Sequence, residues 1–141
     1  MVPTPGIQLT SMTHVEDLAA MLALVPGNPK AVKQDFNVCS DRAVTFEGMI
    51  KAIAKAAGKE AQIKLYDPEA IGMGKSGKAD GFPFRTVHFF ASPDKAKRLL
   101  GWKPAHDFLS DVPMLLDMYK SEGRMNKTPD FTVDDQILAK I

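Results

Sequence analysis

Cysteine, tryptophan and net charge are what this 141-residue chain has least of: one Cys, one Trp and a formal charge of +1. A single cysteine excludes an internal disulfide, and no Cys/His group stands at zinc spacing. Cys39 lies beside Phe36 and Val38 and reads as a small buried residue. With 18 Lys and Arg against 17 Asp and Glu, the chain lacks the strongly basic footprint that indicates nucleic acid by itself; any RNA contact must rest on a local patch. No apolar run reaches the ~18 residues of a membrane span. The first ten residues hold Pro3, Pro5 and Gly6 and no cationic stretch, so no secretory or transit segment is expected. At 45% hydrophobic and 25% charged residues, the composition is that of a globular chain and excludes a disordered tail.

Several catalytic motifs are missing too. No glycine loop follows a strand and opens a helix. Gly72, Gly74 and Gly77 match the dinucleotide spacing by letter, but they follow an acidic, proline-containing loop. No Tyr-x-x-x-Lys pair exists, since Tyr66 is followed four later by Ala70 and Tyr119 by Gly123. Nucleophile-elbow, zincin and phosphate-loop motifs are likewise missing. Autonomous redox catalysis is therefore not expected.

What is present alternates short strands with helices. Ile7 to Thr10 reads as extended. A helix is expected from Val15 to Val25, capped by Thr13, stopped by Pro26-Gly27 and burying Val15, Leu18, Ala19, Leu22 and Val25. Asp35 to Cys39 reads as a buried strand. The clearest helix begins after Thr45, carries Phe46, Met49, Ile50, Ile53, Ala54 and Ala57 on one stripe, and ends at Gly58. A strand is expected over Gln62 to Tyr66, an irregular stretch over Asp67 to Arg85, and an extended run over Thr86 to Phe90. Ser92-Pro93 starts a helix that closes at Gly101. The next helix, Leu109 to Lys120, is expected to bury Val112, Leu115, Leu116 and Tyr119. Thr132 to Asp135 has the spacing of a capping box before Ile137 and Leu138. Most of the eight methionines fall at helical spacing with Leu and Ile and read as core.

Three histidines have the chemistry for acid–base work. His14 reads as a helix-entry residue satisfied locally, His88 as a strand residue facing solvent or a cleft, and His106 as an exposed residue of a polar turn. Asp134-Asp135 reads as a solvated helix start. Lys95, Lys97, Arg98 and Lys103 stand near Phe82, Phe84, Phe89, Phe90 and Trp102. These residues make either a phosphate-and-stacking surface or an aromatic core rimmed by lysines.

The order Ile7-Gln8-Leu9-Thr10, His14-Val15-Glu16-Asp17-Leu18-Ala19, Phe36-Asn37-Val38 with Ser40 to Thr45, and Leu100-Gly101-Trp102-Lys103-Pro104 resembles the C-terminal part of extended short-chain dehydrogenases/reductases. That group is the NAD-dependent epimerase/dehydratase superfamily. Within it, Tyr66-Asp67-Pro68, Phe82-Pro83-Phe84-Arg85, His88-Phe89-Phe90-Ala91 and Asp134-Asp135-x-Ile137-Leu138 resemble the chloroplast stem-loop-binding proteins. Epimerases usually carry Arg-Pro-Gly-Asp where this chain has Phe82 to Arg85, which puts nucleotide-sugar binding in doubt.

The resemblance implies an α/β fold, the C-terminal lobe of an extended short-chain dehydrogenase-like domain over residues 1–121, with few short strands and about four helices. Residues 122–141 would form a polar tail with a short terminal helix. The family's Rossmann half, with its cofactor loop and Tyr/Lys pair, is not in this sequence. The implied function is a chloroplast stromal, RNA-associated binding or scaffolding module of a plastid complex, associated with ribosomes or transcription complexes. In some members it includes stem-loop cleavage with a divalent metal. Two other readings stay open: the substrate lobe of an epimerase or dehydratase, and a structural subunit that reuses that lobe. If the resemblance carries function, RNA contact is expected through Arg85, His88, Lys75 and Lys78. No catalytic, cofactor-binding or metal-ligating residue is assigned. The few strands leave sheet edges that need a protein partner or the other half of the fold.

Overall fold

A computed structural model describes residues 1–73 and 84–141. Lys75, Lys78, Gly74, Gly77 and Phe82 lie outside the described residues. In chain order the elements are β1 (Val2–Pro3), β2 (Leu9–Ser11), α1 (Val15–Ala23), a 3-10 turn at Pro29–Ala31, β3 (Ala43–Thr45), α2 (Phe46–Ala56) and β4 (Leu65–Tyr66). They continue with α3 (Asp94–Leu100), α4 (Phe108–Ser121), a 3-10 turn at Arg124–Asn126 and α5 (Thr132–Leu138). The fold is α/β with few, short strands, as expected, and has five α-helices among the described residues where about four were predicted.

Local chemistry sets most helix ends. Thr45 Oγ1 accepts from the Gly48 N–H at 3.0 Å and starts α2, and Gly58 at φ +67 follows its end. Ser92 Oγ accepts from Asp94 N at the start of α3, and Gly101, at φ +70, closes it. Asp107 caps α4 through Leu109 N and Ser110 N. Two expected caps are displaced. The N-cap of α1 is His14 and not Thr13, whose hydroxyl instead donates to the Val38 carbonyl. At α5, Asp130 accepts from both the amide and the hydroxyl of Thr132, so no capping box forms. Those two bonds hold the Asp130 carboxyl below its ordinary pKa.

The strands form two two-stranded sheets: β1 with β4 in parallel, and β2 with β3 antiparallel in the register Leu9–Thr45, Thr10–Val44, Ser11–Ala43. Phe89 adds a single parallel bridge beside Thr10. The predicted strand at Asp35 to Cys39 does not form; its residues hold only scattered bonds such as Thr13 Oγ1 to Val38 O and Asn37 Nδ2 to Ser92 O, and the ladder falls on residues 43–45. The strand expected over Gln62 to Tyr66 is reduced to its last two residues. There the buried side chain is Tyr66, while Leu65 is exposed.

Two small cores hold these pieces. Met21, Ala96 and Trp102 form one, packed by Phe36, Val38 and Leu100. Tyr66 and Ile137 form the other, with Met1, Ile71, Met73, Phe84 and Val133 around them. The first core overturns the expected face of α1. Asp17 and Met21 are its buried residues, while Val15 is 73% and Leu22 59% exposed. The packing surface available to α1 is that of α3 and Trp102, and it takes the Asp17/Met21 side. In α4 only Val112 of the predicted stripe is buried; Leu115 and Tyr119 are exposed, as are Met114 and Met118, and Met125 in the 3-10 turn that follows. An apolar groove of about 460 Å³ runs between α2 and α4, lined by Ile53, Ala57, Val112, Leu115 and Tyr119 among others. Among the described residues, no helix is long and apolar enough to cross a membrane.

Candidate functional site

Arg85 and His88 come together on the edge of β2. Phe89 N donates to Leu9 O at 2.8 Å and Ser11 N to Phe89 O at 2.9 Å, which lays the 84–90 segment along that strand. In that position the His88 Nδ1 accepts from Leu9 N at 3.0 Å, and Arg85 Nη2 donates to Thr10 Oγ1 at 2.8 Å. The Arg85 guanidinium carbon lies 5.4 Å from the Phe46 ring centroid and 5.1 Å from that of Phe89. Its Nε is buried without a hydrogen-bond partner among the described residues. Arg85 is thus both a clamp on the sheet and a cation held against two rings.

The two readings of the aromatic and basic cluster divide by residue. Trp102 is 3% exposed, with its Nε1–H on the Asp17 carbonyl at 3.1 Å, and Phe84 packs on Phe46 with ring centroids 4.7 Å apart. Those two are core. Phe89 and Phe90 are 57% and 63% exposed. Lys97 is paired with Asp41, and Lys95 sits 5.5 Å over the Phe36 ring. Cys39 is buried, as expected, and burial pushes its thiol above the ordinary pKa.

A second cluster was not legible in the sequence. His106, expected to be an exposed turn residue, is half-buried and stacks on His14 with ring centroids 3.6 Å apart and 16° between planes. Its Nδ1 lies 3.0 Å from Asp111 Oδ2 and its Nε2 3.3 Å from Glu16 Oε2. Burial lowers its pKa, but the hydrogen bonds to Asp111 and Glu16, with the charges of Asp111 and Asp17, outweigh it and leave the imidazole above its ordinary value. His14 is satisfied locally, as predicted, its Nδ1 accepting from Glu16 N. Glu16 and His106 stand 90 positions apart, so no local spacing announces the pair. The cluster opens into a hollow of about 280 Å³ that Ser40 and Phe108 also line.

Neither group implied by the resemblance fits the described residues. His14, His106 and Asp111 bring ligand atoms within 4.8 Å of one another. A metal, however, binds imidazole in the ring plane, and the planes of two rings stacked at 16° meet only far beyond bonding distance of either. Both His106 nitrogens are also held by carboxylates. NAD needs a helix N-terminus open to its pyrophosphate. The N-termini of α1, α2 and α4 are instead closed by His14, Thr45 and Asp107, and the first amides of α3 and α5 are taken by Ser92 and Asp130.

No protein-family model matches the chain. A curated protein of Arabidopsis thaliana, the chloroplast stem-loop binding protein of 41 kDa b, is 44% identical over 140 residues, which is 99% of this chain and 36% of that protein. Among solved structures, the dTDP-glucose 4,6-dehydratase of Bacillus anthracis matches 87% of this chain and 35% of its own, at 17% identity and a TM-score of 0.61. The UDP-glucuronic acid 4-epimerase of Bacillus cereus matches 85% and 33%, at 16% identity and a TM-score of 0.59. The UDP-glucose 4-epimerase of Bifidobacterium longum matches 85% and 32%, at 22% identity and a TM-score of 0.58. Likeness at such identities carries the fold and not the chemistry. The chain spans about a third of the length of each. It is similar to the chloroplast stem-loop binding protein over 99% of its own residues, and its fold is like that of part of the dehydratase and epimerase structures.

Proposed function

We propose that this chain is an RNA-associated binding module of a larger chloroplast complex, holding a stem-loop RNA without redox catalysis. The observation that carries the reading is the 44% identity, over 140 residues, to a protein named for stem-loop binding. The outward apolar stripe of α1 and the groove between α2 and α4 support membership of a larger assembly, since such surfaces are costly to leave in water. RNA contact is assigned to the β2 edge, through Arg85 and His88, with Lys75 and Lys78 from the segment that precedes them. Cleavage by a divalent metal forms no part of the reading.

The test is a gel-shift titration of an RNA hairpin at two salt concentrations. With a net charge of only +1, three or four phosphate contacts should give a slope of about −2 to −4 in log K against log salt. The triple variant Lys75→Ala, Lys78→Ala, His88→Ala should bind more weakly, and its melting temperature should match that of His88→Ala alone, which gives up only the bond to Leu9 N. Equal affinities would remove this site from the reading, and no shift with the parent chain would overturn the reading itself.

A further inference from the structure

We infer that the 84–90 segment takes the unpaired bases of the hairpin loop by stacking, and that the paired stem contributes little; this rests on the RNA reading above. Apolar side chains of this size are ordinarily packed away, and the sequence allowed that for all the aromatics here. The structure buries Trp102 and packs Phe84, yet leaves Phe89 and Phe90 mostly in solvent, with His88 exposed between Val87 and them. Phe89 is pinned to Leu9 and Ser11 through its backbone. Its ring therefore stands on a fixed strand edge, and little is lost in ordering it when a base arrives.

Charge complements the rings. Beside Lys97, which Asp41 already pairs, residues 84–103 hold Arg85, Lys95, Arg98 and Lys103 against the single carboxylate of Asp94, within a chain whose net charge is +1. Arg85 sits against the Phe89 ring, so a cation lies where a phosphate beside a stacked base would be. A duplex offers its π-faces only at its ends, whereas splayed loop bases offer both faces to aromatic and imidazole rings. Two exposed rings with one nearby guanidinium thus suit unpaired bases better than the evenly spaced phosphates of a stem.

The probes are an RNA hairpin with an oligoadenosine loop, the same stem as a blunt duplex, and oligoadenosine alone. The parent chain should bind the hairpin and the single strand more tightly than the duplex. Phe90→Ala should weaken both by about tenfold to hundredfold, the worth of one stacked base, and leave the duplex unchanged. Phe90→Trp should retain binding, and its exposed indole should be quenched by oligoadenosine while buried Trp102 is not. Equal binding of duplex and hairpin, or a Phe90→Ala chain that binds like the parent, would overturn the inference while leaving the RNA reading in place. Failure of the parent to bind any probe would overturn both.

Discussion

Asp17 ties the start of α1 to Trp102 and the turn that follows it. Its backbone carbonyl accepts the indole N–H at 3.1 Å, and its carboxylate accepts Ala105 N at 2.8 Å and His106 N at 3.1 Å. A buried carboxylate that serves two amides of a distant turn organises tertiary structure, because removing it strands both donors.

Asp17→Ala should therefore destabilise the chain by about 2–4 kcal/mol, and Asp17→Asn by less, since its one remaining oxygen still accepts. Urea unfolding followed by Trp102 fluorescence measures this. A loss within error of zero would show that the turn holds itself.

The faces of α1 make a paired prediction. Met21→Ala empties the core beside Trp102 and Ala96 and should cost about 2–4 kcal/mol. Leu22→Ala, its outward neighbour, should change stability by no more than about 0.5 kcal/mol. Leu22→Glu should also reduce binding of a hydrophobic dye, since Leu22 stands outward. Equal costs at the two positions would restore the face expected from periodicity.

His106 sets a pH dependence. Its pKa in the folded chain lies above the unfolded value of about 6.5. The stabilisation is then fully present below that unfolded value and is lost as pH rises through the folded one. Asp111→Asn should remove most of it, so parent and variant should differ in melting temperature at acid pH and converge as pH rises. An NMR titration that places His106 at or below the ordinary histidine value would refute the assignment.

NAD and NADP should not bind this 141-residue chain with useful affinity, because the N-termini of α1, α2 and α4 are closed by their own side chains. Micromolar binding by calorimetry would contradict this.

The structure keeps what was written locally. Thr45, Gly58 and Gly101 bound helices where the sequence predicts, because a cap or a left-handed glycine acts within one turn of its own position. Burial of Cys39 and local satisfaction of His14 were legible for the same reason. The side of α1 that faces inward was not, since periodicity locates a stripe but not the surface that will meet it. The ladder at residues 43–45 in place of 35–39 depended on register with β2, which no property of either segment alone decides. Phe89 and Phe90 outside, Trp102 inside, and His106 between Asp111 and Glu16 followed from packing between residues far apart in the chain. Composition and spacing thus determined the main helices and the ends that a local cap or glycine closes. Long-range contact alone decided which faces meet and which stay open to a partner.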